Sequence, residues 1–211
     1  MTRWTVECLT VGPLQMNAWL VHDPDSGEAA LIDPGDEPER LLARLDDLGC
    51  RLRWLVATHG HFDHVGAAAD VQRRHDLPLL IHAEDRFLVE GMPEHQAMYG
   101  LPTSEVPRLE TSLGPDTEIV LGEGRMRIAE VPGHSPGHVM LAWDGHAIVG
   151  DVIFAGSIGR TDLPGGDFPT LERSIRTHIY DLPDETVLHP GHGPDTTVGR
   201  ERAANPYVPG V

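Results

Sequence analysis

The heptapeptide Thr58-His59-Gly60-His61-Phe62-Asp63-His64 decides how the fold of this sequence is interpreted. The residues before it, 52–57, are mostly apolar and predict a strand, whereas the pattern over 65–75 predicts a helix. The heptapeptide therefore lies on a loop at the C-terminal edge of a predicted strand. The alternative, a loop of solvated histidines, is disfavoured because three histidines and one aspartate fall within six residues.

The spacing of these polar residues is typical of metal ligands. Alternate residues of an extended chain project to the same side, so His59 and His61 can reach one metal ion. Asp63 and His64, at the turn into the predicted helix, can reach a second ion. Imidazole suits zinc, iron or manganese, and a carboxylate widens that range.

Three further loops that follow predicted strands carry ligand candidates. His134 lies in the Gly- and Pro-rich segment 131–138, Asp151 follows the apolar strand predicted at 146–149, and His192 is flanked by glycines. We assign the neighbouring His138 and His189 to structural roles, in which they support their loops.

With these residues the ligand set is complete for two divalent metal ions, with zinc expected and iron or manganese as alternatives. Asp151 would bridge the ions and limit their repulsion. The first ion would be held by His59, His61 and His134, and the second by Asp63, His64 and His192. Each ion keeps an open position, as a catalytic rather than a structural site needs. Neither Cys8 nor Cys50 lies near the motifs.

Asp33, which ends a predicted strand in Ile32-Asp33-Pro34-Gly35, is a candidate outside the ligand set. It can orient a ligand histidine through a hydrogen bond, or cap the following turn. Among the remaining histidines, His82 and His95 are candidates for the lining of a substrate cleft, with surface or core positions as the alternative.

Strand patterns recur in both halves of the chain with helices between them. This predicts an α/β sandwich in one domain over residues 1–211, with two sheets face to face and helices outside. A helix is predicted over about 170–179, with Thr170 as its cap.

The segment 91–115 contains four prolines and no clear periodicity. It is predicted to be an irregular excursion that helps to form the substrate cleft. Met92, Met98 and Tyr99 are candidates for apolar contact there, with simple packing as the alternative.

Charge and composition limit the partners. The net charge of −17, from 33 acidic and 16 basic residues, disfavours nucleic acid and anionic membrane surfaces. The polar N-terminus and the two cysteines favour a cytoplasmic protein without a disulfide framework. A small-molecule substrate is expected, and the oligomeric state is left open.

These motifs together resemble the metallo-β-lactamase superfamily, in its glyoxalase II-like (hydroxyacylglutathione hydrolase-like) branch. The resemblance covers nearly the whole chain, since residues 32–35, 58–64, the His134 loop, 150–151 and the His192 loop occur in family order. The stretch 156–166 is similar to short bacterial hydrolases of this branch. The resemblance implies an αββα sandwich of two mixed β-sheets flanked by helices, with a dimetal site at the sheet edge and the ligand roles given above.

Comparison within the superfamily favours thioester hydrolysis by a hydroxide that bridges the metals, with Asp63 orienting it and accepting its proton. A β-lactamase would usually carry cysteine at the second metal, and a flavodiiron protein glutamate at the position of His61. One alternative is a mono-iron persulfide dioxygenase that uses the positions of His59, His134 and Asp151. Another is a non-catalytic metal-binding module. Recognition of glutathione, which longer members hold with a C-terminal helical region, is left open.

Overall fold

Two six-stranded mixed β-sheets form the centre of the structure, a computed structural model that describes residues 4–210. The first sheet contains, in chain order, β1 (Thr5–Val11), β2 (Met16–Asp23), β3 (Glu28–Ile32), β4 (Arg51–Val56), β5 (Leu79–Leu80) and β6 (Leu109–Glu110). The strands β1, β2 and β3 pair antiparallel, and β3 to β6 pair parallel.

The second sheet is built from the second half of the chain. Its strands are β7 (Glu118–Leu121), β8 (Gly124–Glu130), β9 (Val139–Trp143) and β10 (His146–Gly150), followed, after a small hairpin of β11 (Ile153–Phe154) and β12 (Ser157–Ile158), by β13 (Val187–Pro190) and β14 (Thr196–Thr197). They lie in the order β14-β13-β10-β9-β8-β7, and β10 and β13 form its parallel pair.

Seven short helices accompany the sheets within residues 4–210. They are α1 (Pro38–Leu48), α2 (Phe62–Val65), α3 (Ala68–His75), α4 (Arg86–Glu90), α5 (Met92–Met98), α6 (Phe168–Ser174) and α7 (Val198–Ala204). A single turn of π-helix, Ile175–Ile179, extends α6. In this part of the chain, no helix combines the length and the hydropathy that a membrane span requires.

The burial of β2 shows why the layers are stacked as they are. All eight residues of β2 are buried, and successive side chains of a strand point to opposite faces. Ala18 and Leu20 pack in one cluster with Leu41 and Leu45 of α1, whereas Trp19 packs in another with residues of the second sheet. A strand without a polar face needs a layer on each side, so this sheet is covered by helices outside and by the other sheet inside.

The second sheet is covered in the same way. Leu171 of α6 and Val198 of α7 pack against Val149 and Leu188 of β10 and β13. The order of layers is therefore helix, sheet, sheet, helix, which confirms the predicted αββα sandwich.

Hydrogen bonds join the two sheets at one edge. The backbone N–H of Val139 donates to the carbonyl oxygen of Thr58 (2.8 Å). The Asn17 side chain donates to the carbonyl oxygens of Pro190 (3.1 Å) and Gly193 (2.8 Å). Because these contacts lie where β4 and β13 end, the loops that follow strands of both sheets meet there.

The start of the helix predicted over 65–75 is wrong, because α3 begins only at Ala68 and residue 65 ends the separate α2; the remainder, up to His75, is confirmed. The N–H of Ala67 donates to the carbonyl oxygen of Pro34 (2.9 Å), and a Cβ on Gly66 would lie 2.5 Å from the carbonyl oxygen of Gly35. Contact with the loop after β3 thus separates α2 from α3 at residues 66 and 67.

The predicted cap of the helix at 170–179 is also wrong. The helix begins at Phe168, and the side chain of Asp167 accepts from the N–H of Thr170 (2.9 Å). Pro169, in the first turn, is compatible with this earlier start.

The segment 91–115 is less irregular than predicted, since α5 occupies its first part. Pro93 lies in the first turn of α5, where a backbone N–H group would have no partner within the helix, so proline is tolerated there. Met92 is fully buried, so packing is the correct interpretation for this residue.

We expect Gly35→Ala to destabilise the protein by about 3 kcal/mol, at the upper end for overpacking. A Cβ on Gly35 would lie 1.7 Å from the carbonyl oxygen of Asp63 and 2.2 Å from Cε of Met16, and backbone cannot move aside as a side-chain end can. Gly27→Ala is the control. The φ of 67° at Gly27 is strained for alanine, but no atom lies within 4 Å of the added Cβ, so we expect a loss of stability of about 1 kcal/mol. Urea unfolding measures both, and equal losses would contradict the close approach.

Candidate metal centre

The seven predicted ligands converge at the edge where the strand ends meet. They form three overlapping groups whose ligand atoms lie within 4.8 Å of one another in each group: His59, His61 and His134; His59, His64 and Asp151; and Asp63, His64 and His192. The first and third groups are those assigned from the sequence. The second group combines one histidine from each of those two sets, because the ring centroids of His59 and His64 lie 4.1 Å apart.

The first group is almost completely buried. Nδ1 of His61 and Nε2 of His134 lie 2.9 Å apart, and both rings stand 4.8 Å from the ring of His59. Nε2 of His59 and Nε2 of His61 are buried and make no hydrogen bond to the described part of the chain.

Asp151 lies between the two halves of the centre. Its Oδ1 is 3.4 Å from Nε2 of His64, and its Oδ2 is 3.6 Å from Nε2 of His134 and 3.7 Å from Nε2 of His192. Asp63 completes the second half, with Oδ2 3.3 Å from Nε2 of His192. The two oxygens of Asp151 therefore face different histidines, as the bridging position requires.

Asp33 makes the contact that an orienting role requires. Its carboxylate is fully buried, accepts from the N–H (2.6 Å) and the hydroxyl (2.8 Å) of Thr58, and lies 3.0 Å from Nδ1 of His64. Because the Thr58 proton is directed to Asp33, its oxygen is free to accept from Nδ1 of His59 at 3.1 Å. Both histidines then carry their proton on Nδ1, which leaves the Nε2 lone pair for a ligand.

Burial and charge set the protonation of the centre. Desolvation, with the neighbouring histidines, lowers the pKa of His59 well below its ordinary value and that of His61 to about 3. Burial alone would raise the pKa of Asp151, but the charges of His64, His134 and His192 lower it below its ordinary value. Neutral imidazoles and an ionised carboxylate are the forms that bind metal.

His64 shows that the centre attracts positive charge. Burial lowers its pKa, yet Asp151, Asp33 and Asp63, which lie 3.4, 3.0 and 3.9 Å from its ring nitrogens, raise it well above the ordinary value. The three carboxylates around His64 therefore favour positive charge at this end of the centre.

The residues fit two metal ions. Buried polar atoms without a hydrogen bond are rare in proteins, and here Nε2 of His59 and Nε2 of His61 make none to the described residues, while Nε2 of His64 and Oδ1 of Asp151 have none there beyond their mutual contact at 3.4 Å. The donors are imidazole nitrogens and carboxylate oxygens, a set that suits zinc, iron or manganese.

The other predicted histidines fall in different places. His138 accepts from the backbone N–H of Asp151 (3.0 Å) and stacks on His59, and His189 lies 3.0 Å from His146, so both support the loops around them. His95 lines the cleft, whereas Nε2 of His82 lies 3.3 Å from Glu130, outside the cleft lining.

The sequence analysis missed Asp85. Its fully buried carboxylate accepts from the N–H groups of Gly60 (2.9 Å) and Gly137 (2.6 Å) and from the hydroxyl of Ser135 (2.6 Å). It thereby joins the loop of His59 and His61 to the loop of His134. Its position shortly after β5, at the same sheet edge, was the available signal.

The sequence analysis also missed a contact between the side chain of His134 and a backbone carbonyl group. Nδ1 of His134 lies 2.7 Å from the carbonyl oxygen of Arg160, which can only accept a hydrogen bond. No residue type encodes this contact, since every residue carries a carbonyl group.

Known proteins share both this fold and its length. The sequence model of the metallo-beta-lactamase superfamily matches residues 11–192. The hydroxyacylglutathione hydrolase GloC of Haemophilus influenzae is 39% identical over 207 residues, which cover 96% of this chain and 97% of that protein. The crystal structure of TTHA1623 in a di-iron-bound form is 42% identical with a TM-score of 0.86, covering 96% of this chain and 100% of that one. The B3 metallo-beta-lactamase BLEG-1 is 33% identical with a TM-score of 0.87, covering 97% and 99%.

We expect Asp85→Asn to weaken metal binding as well as stability. An amide has one acceptor oxygen, so at least one of the three buried donors loses its partner, at a cost of about 1–3 kcal/mol. The ligand loops then lose their common anchor, and zinc affinity should fall about 10- to 100-fold. Urea unfolding and competition with a chromophoric chelator measure the two effects, with the exposed Asp116→Asn as control. Reduced stability with unchanged zinc affinity would restrict Asp85 to a role in the fold.

Proposed function

This chain belongs to the metallo-β-lactamase superfamily, in its glyoxalase II-like branch, and we propose that it uses two divalent metal ions to hydrolyse thioesters. A metal-dependent hydrolase is what the superfamily and the Haemophilus influenzae relative support. The observation that carries the proposal is the second group, Asp63, His64 and His192, which lies beside the first with Asp151 between them.

The chain's residues would hold the ions as two neighbouring sets. His59, His61 and His134 would bind one, Asp63, His64 and His192 the other, and Asp151 would contact both. Zinc is the expected metal, with iron or manganese as alternatives; the similarity to a protein solved in a di-iron-bound form supports the number of ions. Bound ions supply Lewis acidity and lower the pKa of coordinated water from about 16 toward 7.

Asp63 is suited to hold a proton during the reaction. Its carboxylate lines the open cleft, and the neighbouring His64 and His192 lower its pKa despite burial, so it is ionised at neutral pH. Oδ2 of Asp63 can therefore orient the attacking water and accept its proton.

The chemistry of a thioester matches the groups present. The water oxygen attacks the carbonyl carbon, the C–S bond breaks, and the sulfur leaves as thiolate with the electron pair. Thiolate is a stable leaving group, so the cleft needs no strong acid beside the sulfur. The name of the Haemophilus influenzae relative, a hydroxyacylglutathione hydrolase, supports this class of substrate.

Two alternative functions explain the geometry of the candidate site less well. A mono-iron dioxygenase needs only two histidines and a carboxylate, here His59, His134 and Asp151, and leaves His64 and His192 without a role. A non-catalytic metal site is normally closed, whereas a cavity of about 550 Å³ opens on the candidate ligands.

Asp151→Ala should lose one or both ions and reduce hydrolysis by more than about 100-fold, because the two halves lose their shared anion. Metal analysis by mass spectrometry and thioester turnover are measured on the same preparation. Asp116→Ala, an exposed aspartate, is the control and should keep both. Full metal content and activity in Asp151→Ala would disprove the bridging assignment.

Purified protein should hydrolyse S-lactoylglutathione or a similar thioester without oxygen, and His64→Ala should reduce the rate about 100-fold or more by removing the second ion. The exposed His178→Ala is the control.

The dioxygenase would replace this proposal if iron-loaded protein consumed oxygen with glutathione persulfide, lacked thioesterase activity and tolerated His64→Ala. A β-lactam is the comparison substrate, because BLEG-1 is a lactamase; turnover equal to that of the thioester would also contradict the proposal.

A further inference from the structure

The cavity over the candidate metal centre is apolar around its polar floor. Apart from the candidate ligands, its lining is dominated by apolar and aromatic side chains, among them Leu14, Phe62, Met98, Tyr99, Phe154 and Leu163. Met98 is 82% exposed and Tyr99 is 58% exposed, fractions that are unfavourable for such side chains unless something covers them. Apolar surface around a concave site is typical of ligand binding.

Aromatic rings form two pairs in this lining. Phe62 of α2 and Tyr99, at the end of α5, lie with ring centroids 5.4 Å apart. Phe154, from the β11–β12 hairpin, lies 6.1 Å from the ring of the candidate ligand His192. The rings come from separate parts of the chain, so tertiary structure collects apolar surface around the place where the reaction would occur.

Positive charge is scarce in the same lining. Among residues 4–210, Arg160 is the one arginine that lines the cavity, and the sequence contains no lysine. The guanidinium of Arg160 donates two hydrogen bonds to Asp162, at 2.7 and 2.8 Å. Apart from the metal ions proposed at the floor, a thiol carrier with several carboxylates or phosphates would therefore meet one arginine, already paired with Asp162, in a protein with a net charge of −17.

We propose that the substrate presents a bulky apolar group, on the acyl or the thiol side of the thioester, and that the cavity lining selects this group. The inference rests on the proposed thioester hydrolysis and names its substrate class. A short hydroxyacyl group would leave most of the rings in contact with water, whereas an alkyl chain or an aryl group would cover them. Each buried methylene stabilises the bound state, and it stabilises the transition state equally, so the effect is expected in kcat/KM.

Two substrate series test the proposal and separate the two sides. The first lengthens the acyl group from acetyl to octanoyl on N-acetylcysteamine, a small neutral thiol. The second keeps the acetyl group and lengthens an alkanethiol. We expect kcat/KM to rise about fourfold per methylene in one series until the cavity is filled. A rise in the first series places the apolar group on the acyl side, and a rise in the second places it on the thiol side.

The Tyr99→Ala variant tests whether the apolar lining causes the rise of kcat/KM with chain length. The variant should reduce the gain in kcat/KM per methylene, which is a ratio between substrates of the same variant and is therefore independent of any general loss of activity. Tyr207→Ala is a matched control, since Tyr207 is 57% exposed and lies outside the cavity lining. An undiminished gain in Tyr99→Ala would overturn the assignment to this lining, and flat values in both series would overturn the substrate class.

A binding experiment separates this inference from the proposed function. S-alkyl thioethers of N-acetylcysteamine lack the thioester carbonyl, so their C–S bonds are not hydrolysed, and calorimetry measures their affinity for the metal-loaded protein. Affinity that rises with chain length and falls in Tyr99→Ala supports the apolar site even if no thioester is turned over, in which case only the proposed function fails. Affinity independent of chain length overturns the inference, whatever the hydrolysis rates are.

Discussion

The carboxylate of Asp33 is the contact on which the candidate centre depends. It accepts both donors of Thr58 and lies against Nδ1 of His64, and Thr58 in turn contacts Nδ1 of His59. One buried anion thus orients two imidazoles, one of them through a hydroxyl. The same principle holds for His134, whose Nδ1 contacts the carbonyl oxygen of Arg160. Each of these histidines is held by one ring nitrogen, and the other remains available at the centre.

The close packing of backbone around the centre follows from this requirement. The loop after β3 carries Asp33 and must lie against the loop of Asp63, which is why Gly35 has no room for a Cβ. Asp85 and the hydrogen bond from Val139 to Thr58 join the loops of the two sheets. Strands of both sheets hold the ends of these loops, so the candidate ligands are supported by rigid elements.

The site combines a charged floor with an apolar surround, and the two parts have different roles. Carboxylates and imidazoles at the floor suit metal binding and attack by water. The rings of Phe62, Tyr99 and Phe154 line the open cleft above it, and a substrate that covers them would exclude water from the floor, where electrostatic interactions would then be stronger. This arrangement allows one family of catalytic centres to serve different substrates, because the surrounding loops can change while the ligands stay in place.

The candidate ligand set could be proposed from sequence because its pattern is local, and the structure brings these side chains together. A strand followed by His59 and His61 places both side chains on one side, and the histidines and aspartates at 134, 151 and 192 each follow a strand. The layered fold could be predicted for the same reason, since runs of apolar residues indicate strands that need cover on both faces.

Local patterns failed where distant contacts decide the conformation. The helix predicted over 65–75 begins three residues later, at Ala68, because the loop after β3 packs against Gly66, and α5 forms where the prolines predict an irregular segment. The sequence predicts Thr170 as a cap, whereas Asp167 is the acceptor. The anchoring role of Asp85, the carbonyl contact of Arg160 and the apolar surround of the centre depend on residues far apart in the chain. The local sequence pattern is sufficient to name the candidate metal ligands. The atoms that hold those side chains in place, and the surface that a substrate meets, depend on contacts that exist only after the two sheets have packed.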